Sequence, residues 1–403
     1  MRKTGKINMK KAQSNQENIR YNNQLRIVEI MKKGSYSCTD LARETGLSNT
    51  AVENIIDDLA ERGIVVLSTN SEVGARGRRP IKYQLNSDLG CVASVELSDR
   101  DMVVCIANIN RQILYCATLP SVLMITQEVL DKIIQLIREG LKMPYLQDKK
   151  LLGICIASPG LIDAETGYYR LAFRIENYSK INIAEMFQKE FGCEVIVKKD
   201  IVAGLIGETQ FGVFSRERPK NAIFLHLDIN VGVAYIFNGA IYEGNNGYSG
   251  ELGFYVQNIN EPFKGLGAVV SITAISNAIK ERLAKDCVQH PLRGKEILDF
   301  DELKFLFLSG DEVVEKAVRQ TAKGLAFFLL NQNYLLDVQR VVIDGKMVEL
   351  GEKYLSYVDY YLEKYDSEGV KMNVGYSNLM NRSITLGCIS CIIDSQFEKI
   401  LKQ

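Results

Sequence analysis

Between Asn22 and Lys33, apolar residues recur at Leu25, Val28 and Met31, the spacing of one helix face, and Gly34 ends the pattern. A short second helix follows, capped by Thr39, and Gly46 makes a tight turn. Ser48 can cap a third helix, with Val52, Ile55, Ile56 and Leu59 on one face. Its other face shows Asn49, Thr50, Glu53, Asn54, Asp57 and Asp58. After Gly63, strand-like runs at 64–67 and 81–85 enclose the stretch Gly74-Ala75-Arg76-Gly77-Arg78-Arg79-Pro80. Further strand-like runs lie at 91–97, 102–108, 112–118, 151–157 and 194–198, and again at 222–227, 231–237 and 340–343. Helical stripes such as 129–141 and 183–191 fall between them. Three strands in a row and then alternating helices predict an α/β domain with a mixed sheet flanked by helices. No short-period repeat or low-complexity linker appears. The pattern divides the chain into an arm at 1–21, a helix-and-hairpin unit at 22–86 and a two-lobed α/β unit at 87–403.

Composition adds limits. The chain has 403 residues, 46 % hydrophobic and 24 % charged, which suits a soluble protein with a large core. No run of about 18 apolar residues suggests a membrane span, and the polar start lacks the apolar stretch of a secretion signal. A cytoplasmic location is the expectation. Nine cysteines sit mostly singly in apolar runs and read as reduced core residues. Cys388 and Cys391, in TLGCISCII, read as helix packing and not as a redox motif. With only His226 and His290, a histidine-built metal or acid–base site is not expected.

Charge is balanced overall but not locally. Residues 1–33 hold nine basic side chains against Glu17 and Glu29. Such a start suits contact with a polyanion, and a solvated arm is the alternative. The helix–turn–helix layout favours the first, because the N-terminal residues of its second helix reach base edges in the major groove. Ser48, Asn49, Thr50 and Asn54 are the candidates there, since Asn can pair bidentately with adenine. Glu53, Asp57 and Asp58 would repel phosphate, so this helix must enter the groove by its N-terminal end. Arg76, Arg78 and Arg79 on the hairpin suit phosphate or the minor groove. A flexible solvated loop is the alternative for them.

The order of these pieces carries a resemblance. Helix–turn–helix, GRRP hairpin, three-strand meander, ASPGLIDAETG, KKDIVAGLIGE and FNGAIYEGNNGYSGELG together resemble the ROK family of repressors and sugar kinases. The match runs from about residue 22 to the end. It implies an N-terminal winged helix and a two-lobed actin-like ATPase domain with a sugar cleft between the lobes. It also implies binding to operator DNA as a homodimer or a dimer of dimers, with repression of carbohydrate genes relieved by a sugar.

The departures from the family matter as much. Its kinases carry an Asp-x-Gly-Gly-Thr turn whose backbone N–H groups approach phosphate closely. Here that stretch is Glu96-Leu97-Ser98-Asp99-Arg100. The second phosphate loop reads Asp228-Ile229-Asn230-Val231-Gly232, with an acid where glycine is expected. Both changes argue against ATP use, so neither catalytic residue nor cofactor is expected. The family's zinc histidine is replaced by Phe254, and 255–270 contains no Cys or His, so no metal is expected. The resemblance assigns Asp200 and Glu251 to sugar hydroxyls, Gly250 to close backbone approach and Asn238 to the same site. Lys199 stands where Asn is usual, and Ser271 where a Glu is usual. Lys199 suits an anionic sugar, or else it pairs with Asp200. A sugar kinase with a fused DNA-binding module and an effector-free DNA-binding dimer remain the alternative readings.

Overall fold

A computed structural model describes residues 2–68, 81–98, 101–120, 122–163, 168–172, 174–255, 260, 264–285, 289–369 and 371–402, with backbone only over 2–16. Among the described residues, no helix is long and apolar enough to cross a membrane.

The N-terminal unit contains α1 (Arg2–Met31), β1 (Tyr36–Ser37), α2 (Cys38–Thr45), α3 (Asn49–Glu61), β2 (Val65–Leu67) and β3 (Lys82–Leu85). Its strands form a sheet in the order β1-β3-β2, which makes this a winged helix. The expected boundary at residue 22 falls inside α1, which begins at Arg2. No Gly or Pro interrupts 6–33, so the backbone stays helical where no apolar stripe reports it. The cap of α2 is Ser37 and not Thr39. Ser37 Oγ accepts from the Asp40 N–H at 3.1 Å, and the Asp40 carboxylate accepts from the Ser37 N–H at 3.2 Å, closing a capping box.

The first lobe has β4 (Cys91–Glu96), β5 (Met102–Asn108), β6 (Ile113–Leu119), α4 (Gln127–Leu141), β7 (Leu151–Ser158), β8 (Leu161–Ile162), β9 (Tyr169–Leu171), α5 (Ile183–Phe191) and β10 (Glu194–Lys199). The second lobe begins with α6 (Asp200–Phe211), α7 (Val213–Arg216), β11 (Ala222–Leu227), β12 (Val231–Phe237) and β13 (Ala240–Tyr242). Four helices follow: α8 (Gly267–Val270), α9 (Ile272–Lys285), α10 (Phe300–Leu308) and α11 (Glu312–Leu336). The chain ends with β14 (Arg340–Asp344), α12 (Gly351–Tyr365), β15 (Asn373–Tyr376) and α13 (Ser383–Lys402).

The two lobes share one topology that no sequence repeat announces. Each sheet is an antiparallel meander extended by two parallel strands, in the orders β10-β7-β4-β5-β6 and β13-β12-β11-β14-β15. The central β4 is buried along its length. Cys91, Ala93 and Val95 pack towards α4, while Val92 packs towards α13. That is why its sequence is an unbroken apolar run.

Cysteine pairing corrects the expectation of reduced thiols. Cys105 and Cys116 lie directly opposite each other across β5 and β6, with Cα atoms 4.2 Å apart, and are joined by a disulfide. Linear spacing could not reveal that register. Cys388 and Cys391 are free, and both contact Cys155 under α13.

Helices α6 and α13 cross at very close range. A Cβ on Gly387 would lie 1.8 Å from the Ala203 carbonyl oxygen, and one on Gly207 would lie 2.0 Å from that of Ser383. Both helices start at the cleft between the lobes, where Ile201 and Ile384 line the same cavity. The far end of α13 packs into the winged helix. Ile393, Phe397 and Leu401 share a core with Ile27, Val28 and Met31 of α1 and with Ile56 and Leu59 of α3. Lys32, its side chain wholly enclosed, reaches Asp394 at 2.6 Å. Arg62 donates to the Ile400 carbonyl. Gly387→Ala is expected to cost about 1–3 kcal/mol, read by denaturant unfolding, because neither backbone can retreat.

Candidate functional site

The surface expected to meet DNA is built by α3. Ser48 caps it by accepting from the Ala51 N–H at 3.3 Å. Val52, Ile55, Ile56 and Leu59 are buried, which turns Asn49, Thr50 and Asn54 outward with Ser48 at the exposed N-terminal end. The structure therefore brings these four candidates onto one accessible surface. Asp58 does not join Glu53 and Asp57 on the outer face. It accepts from Arg20 and Gln24 of α1, each at 2.7 Å, and pairs with Arg62 at 3.5 Å. One of the three repelling charges is thus neutralised within the unit. Arg76, Arg78 and Arg79 lie outside the described residues. Asn49→Ala is expected to relax preference at one base pair by about 1–3 kcal/mol while leaving non-specific binding intact. Competition titrations over single-base operator variants would check it.

The second site is a cavity of about 480 Å³ between the lobes. Lys199, Asp200, Gly250 and Glu251, all expected there, do line it. Asn238 does not. It is exposed, with φ of 52°, and forms the β12–β13 hairpin turn with Gly239. Two successive residues with positive φ suit such a turn. Ser271 is also elsewhere: it is buried and its hydroxyl accepts from the Ala274 N–H at 3.1 Å, at the start of α9.

The sequence left Lys199 facing either an anionic ligand or Asp200. Its ammonium instead meets Glu251 at 2.5 Å and donates to the Ser249 carbonyl at 3.1 Å. Asp200, the first residue of α6, accepts from the Ile201 N–H at 2.7 Å. Burial pushes its carboxyl up, although that N–H, His226 and Lys199 pull the other way. Gly250 has φ of +75°, and a Cβ there would lie 1.9 Å from the Val233 carbonyl oxygen. No other residue could bring this backbone so close to β12.

His226 and Arg174 line the cavity and escaped the sequence reading. His226 Nδ1 lies 3.3 Å from Asp344 and its Nε2 lies 3.8 Å from Asp228. Asp344 also accepts from the hydroxyl of Ser383, at the start of α13, at 2.5 Å. Burial raises its carboxyl, but bonds from His226 and Ser383 outweigh this and hold it below the usual range. Asp228 accepts from the Lys346 N–H at 3.2 Å, and it lines the cavity at the second expected phosphate loop. Arg174 also contributes to the wall. These residues are far apart in sequence, and only the sheet edges bring them together. Phe254 lines the cavity and is 56 % exposed. Its ring offers no ligand atom, so the family's zinc does not fit here.

Known proteins resemble both parts of the chain. The ROK family pattern matches residues 92–392, and a winged helix-turn-helix DNA-binding pattern matches 22–66. The xylose repressor of Caldicellulosiruptor bescii is 22 % identical over 375 residues, covering 90 % of this chain and 93 % of that protein. The DNA-binding transcriptional dual regulator NagC of Escherichia coli is 22 % identical over 384 residues, covering 93 % and 92 %. A solved ROK family transcriptional regulator, a homologue of the E. coli MLC protein, superposes with a TM-score of 0.76 at 19 % identity, covering 95 % of this chain and 98 % of that one.

Proposed function

The chain belongs to the ROK family, and we propose that it is a sequence-specific transcriptional repressor whose DNA affinity responds to a sugar in the inter-lobe cavity. The observation that carries this reading is the course of α13. At its start Ser383 bonds Asp344, Ile384 lines the cavity and Thr385 donates to Glu96 of the other lobe at 3.1 Å. At its end it forms part of the core of the winged helix. Closure of the cleft around a ligand would turn α13 about its fixed crossing with α6, and the DNA-reading helix would move with it.

Two copies paired through their α/β domains would set two α3 helices against the half-sites of a pseudo-palindrome. A sugar then acts only through its difference in affinity for the two arrangements, and a few kcal/mol suffice. Catalysis is not part of this proposal. A carboxylate at Asp228 stands where phosphate would need backbone N–H groups. The repressor names of the relatives also favour a non-enzymatic role.

Fluorescence anisotropy with the chain's own upstream promoter DNA, excess competitor DNA and a panel of sugars tests the reading. Competitor-resistant binding that one sugar weakens is the expected result. Sugar-dependent ATP hydrolysis would replace it with the kinase reading. Tight binding indifferent to every sugar would leave an effector-free dimer.

A further inference from the structure

Three side chains join the wall of the cavity to the first turn of α13. His226 lines the cavity and pairs across β11 and β14 with Asp344, whose carboxylate lies 3.3 Å from Nδ1. The same oxygen, Oδ2, accepts from the hydroxyl of Ser383 at 2.5 Å. Ser383 opens α13 and is fully buried, so a ligand can act on it only through another side chain. Resting on the sugar-effector reading, we propose that His226 is the positioning residue that carries occupancy of the cavity to the DNA-binding unit, through Asp344 and Ser383 into α13.

The hydrogen positions follow from the acceptors. Burial raises the Asp344 carboxyl, but bonds from His226 and Ser383 outweigh this, so the group is ionised at neutral pH. An ionised carboxylate only accepts, and Nδ1 therefore carries the hydrogen. That sets Nε2 on the side of Asp228, another lining residue, which is 3.8 Å away and beyond hydrogen-bond length. A ligand hydroxyl bonded at Nε2 shifts charge across the ring and alters the strength of the bond from Nδ1. Ser383 shares the accepting oxygen, so its bond changes in the opposite sense.

The backbones beneath these side chains cannot absorb the change. Gly345 has φ of +92°, and a Cβ there would lie 2.5 Å from the Leu227 carbonyl oxygen, so β14 is pressed against β11 beside Asp344. The first turn of α13 is also held from the other lobe, where Thr385 donates to Glu96 at 3.1 Å. A changed balance between these two carboxylates turns α13 about its crossing with α6 at Gly387 and Gly207. From Gly387 to Leu401 the helix rises about 21 Å, so a turn of about 3° moves Leu401 by on the order of 1 Å. Leu401 belongs to the core of the winged helix, and packed cores pass on such shifts because they do not deform continuously.

Operator titration and calorimetry on the full chain, with D-xylose, D-glucose, N-acetyl-D-glucosamine and the phosphate ester of each, test this relay. In the wild type at least one compound is expected to weaken operator binding by about ten-fold or more. Ser383→Ala should bind that compound, and the operator without it, within about two-fold of wild type, while the response falls below about two-fold. His226→Asn keeps a donor where Nδ1 stands and lacks the atom at Nε2. It should bind the compound more weakly and show no response even at saturation, whereas a side chain that only braced Asp344 would keep the response as Asn. A wild-type response in Ser383→Ala or His226→Asn overturns the relay and leaves the sugar-effector reading standing. Operator affinity lost in both variants without any compound makes the two residues supports of the fold and overturns it too. If no compound weakens operator binding by the wild type, the sugar-effector reading falls and the relay falls with it.

Discussion

Asp394→Ala is expected to loosen the winged helix from the α/β domain and to abolish the response of DNA binding to effector. Asp394 is the carboxylate that faces two enclosed cations at this junction. The Lys32 side chain is wholly buried, and that of Arg111 is 8 % exposed, with Nη2 3.7 Å from the carboxylate. Arg111 Nε and Nη2 have no hydrogen-bond partner, so the ion pair is their compensation. Removing one member of a fully buried charge pair costs about 3–5 kcal/mol, mostly the penalty of the charge left behind, and the 36 % exposure of Asp394 brings the expected loss below that range. Here the loss falls on the contact between α1 and α13, because Lys32 belongs to the DNA-binding unit and Asp394 to α13. Lys32 keeps Glu29 as a partner, but Glu29 lies on α1 itself and ties nothing to α13. Hydrogen exchange over α1 and the C-terminal half of α13 would report the loosening. Adding Lys32→Met to Asp394→Ala should recover much of the loss, because the stranded ammonium is gone. Wild-type stability and an intact effector response in Asp394→Ala would remove α13 as the coupling element.

Asp200→Asn is expected to weaken effector binding by about two orders of magnitude and to leave operator affinity without effector as it was. Hydrogen bonds to a charged acceptor are worth roughly 1.5–3 kcal/mol each, and a carboxylate at the head of α6 can accept more than one from a sugar. The amide keeps the shape and the Ile201 N–H bond, so the helix start survives. Glu251→Ala is a poorer test of the same idea. It would leave Lys199 unpaired in the cavity and mix structural loss with ligand loss. Calorimetry and operator titration on the same preparation would check both halves. A lost operator affinity in Asp200→Asn would make this residue a structural support of the helix crossing and not a ligand contact.

Much of the N-terminal unit was legible because its signals are local. The buried face of α3, its Ser48 cap and the turn at Gly46 depend on residues within one or two turns of helix. The unit's coarse position was legible for the same reason, although a run without Gly or Pro extended α1 beyond its apolar stripe. In the α/β domain, eight strands and the glycine at 250 were also legible, since each follows from period or from a backbone that admits no side chain, whereas the short β8, β9, β13 and β15 carry too few apolar residues to report themselves. The matched positions Lys199, Asp200 and Glu251 line one cavity.

What the sequence by itself determined is therefore the main strands, the family and the outward face of α3, because hydrophobic period, caps and turns act between near neighbours. The tertiary structure alone decided which distant side chains meet. It set Lys199 against Glu251, His226 between Asp228 and Asp344, Asp58 inward and Asn238 out at a hairpin tip. It also joined the cleft to the DNA-binding unit through α13, whose sequence reads only as an apolar helix. The reason is that a side chain's charge state and partner depend on the register between sheets and on the crossing of helices. Those are fixed by the packing of the whole core, which no window of sequence contains.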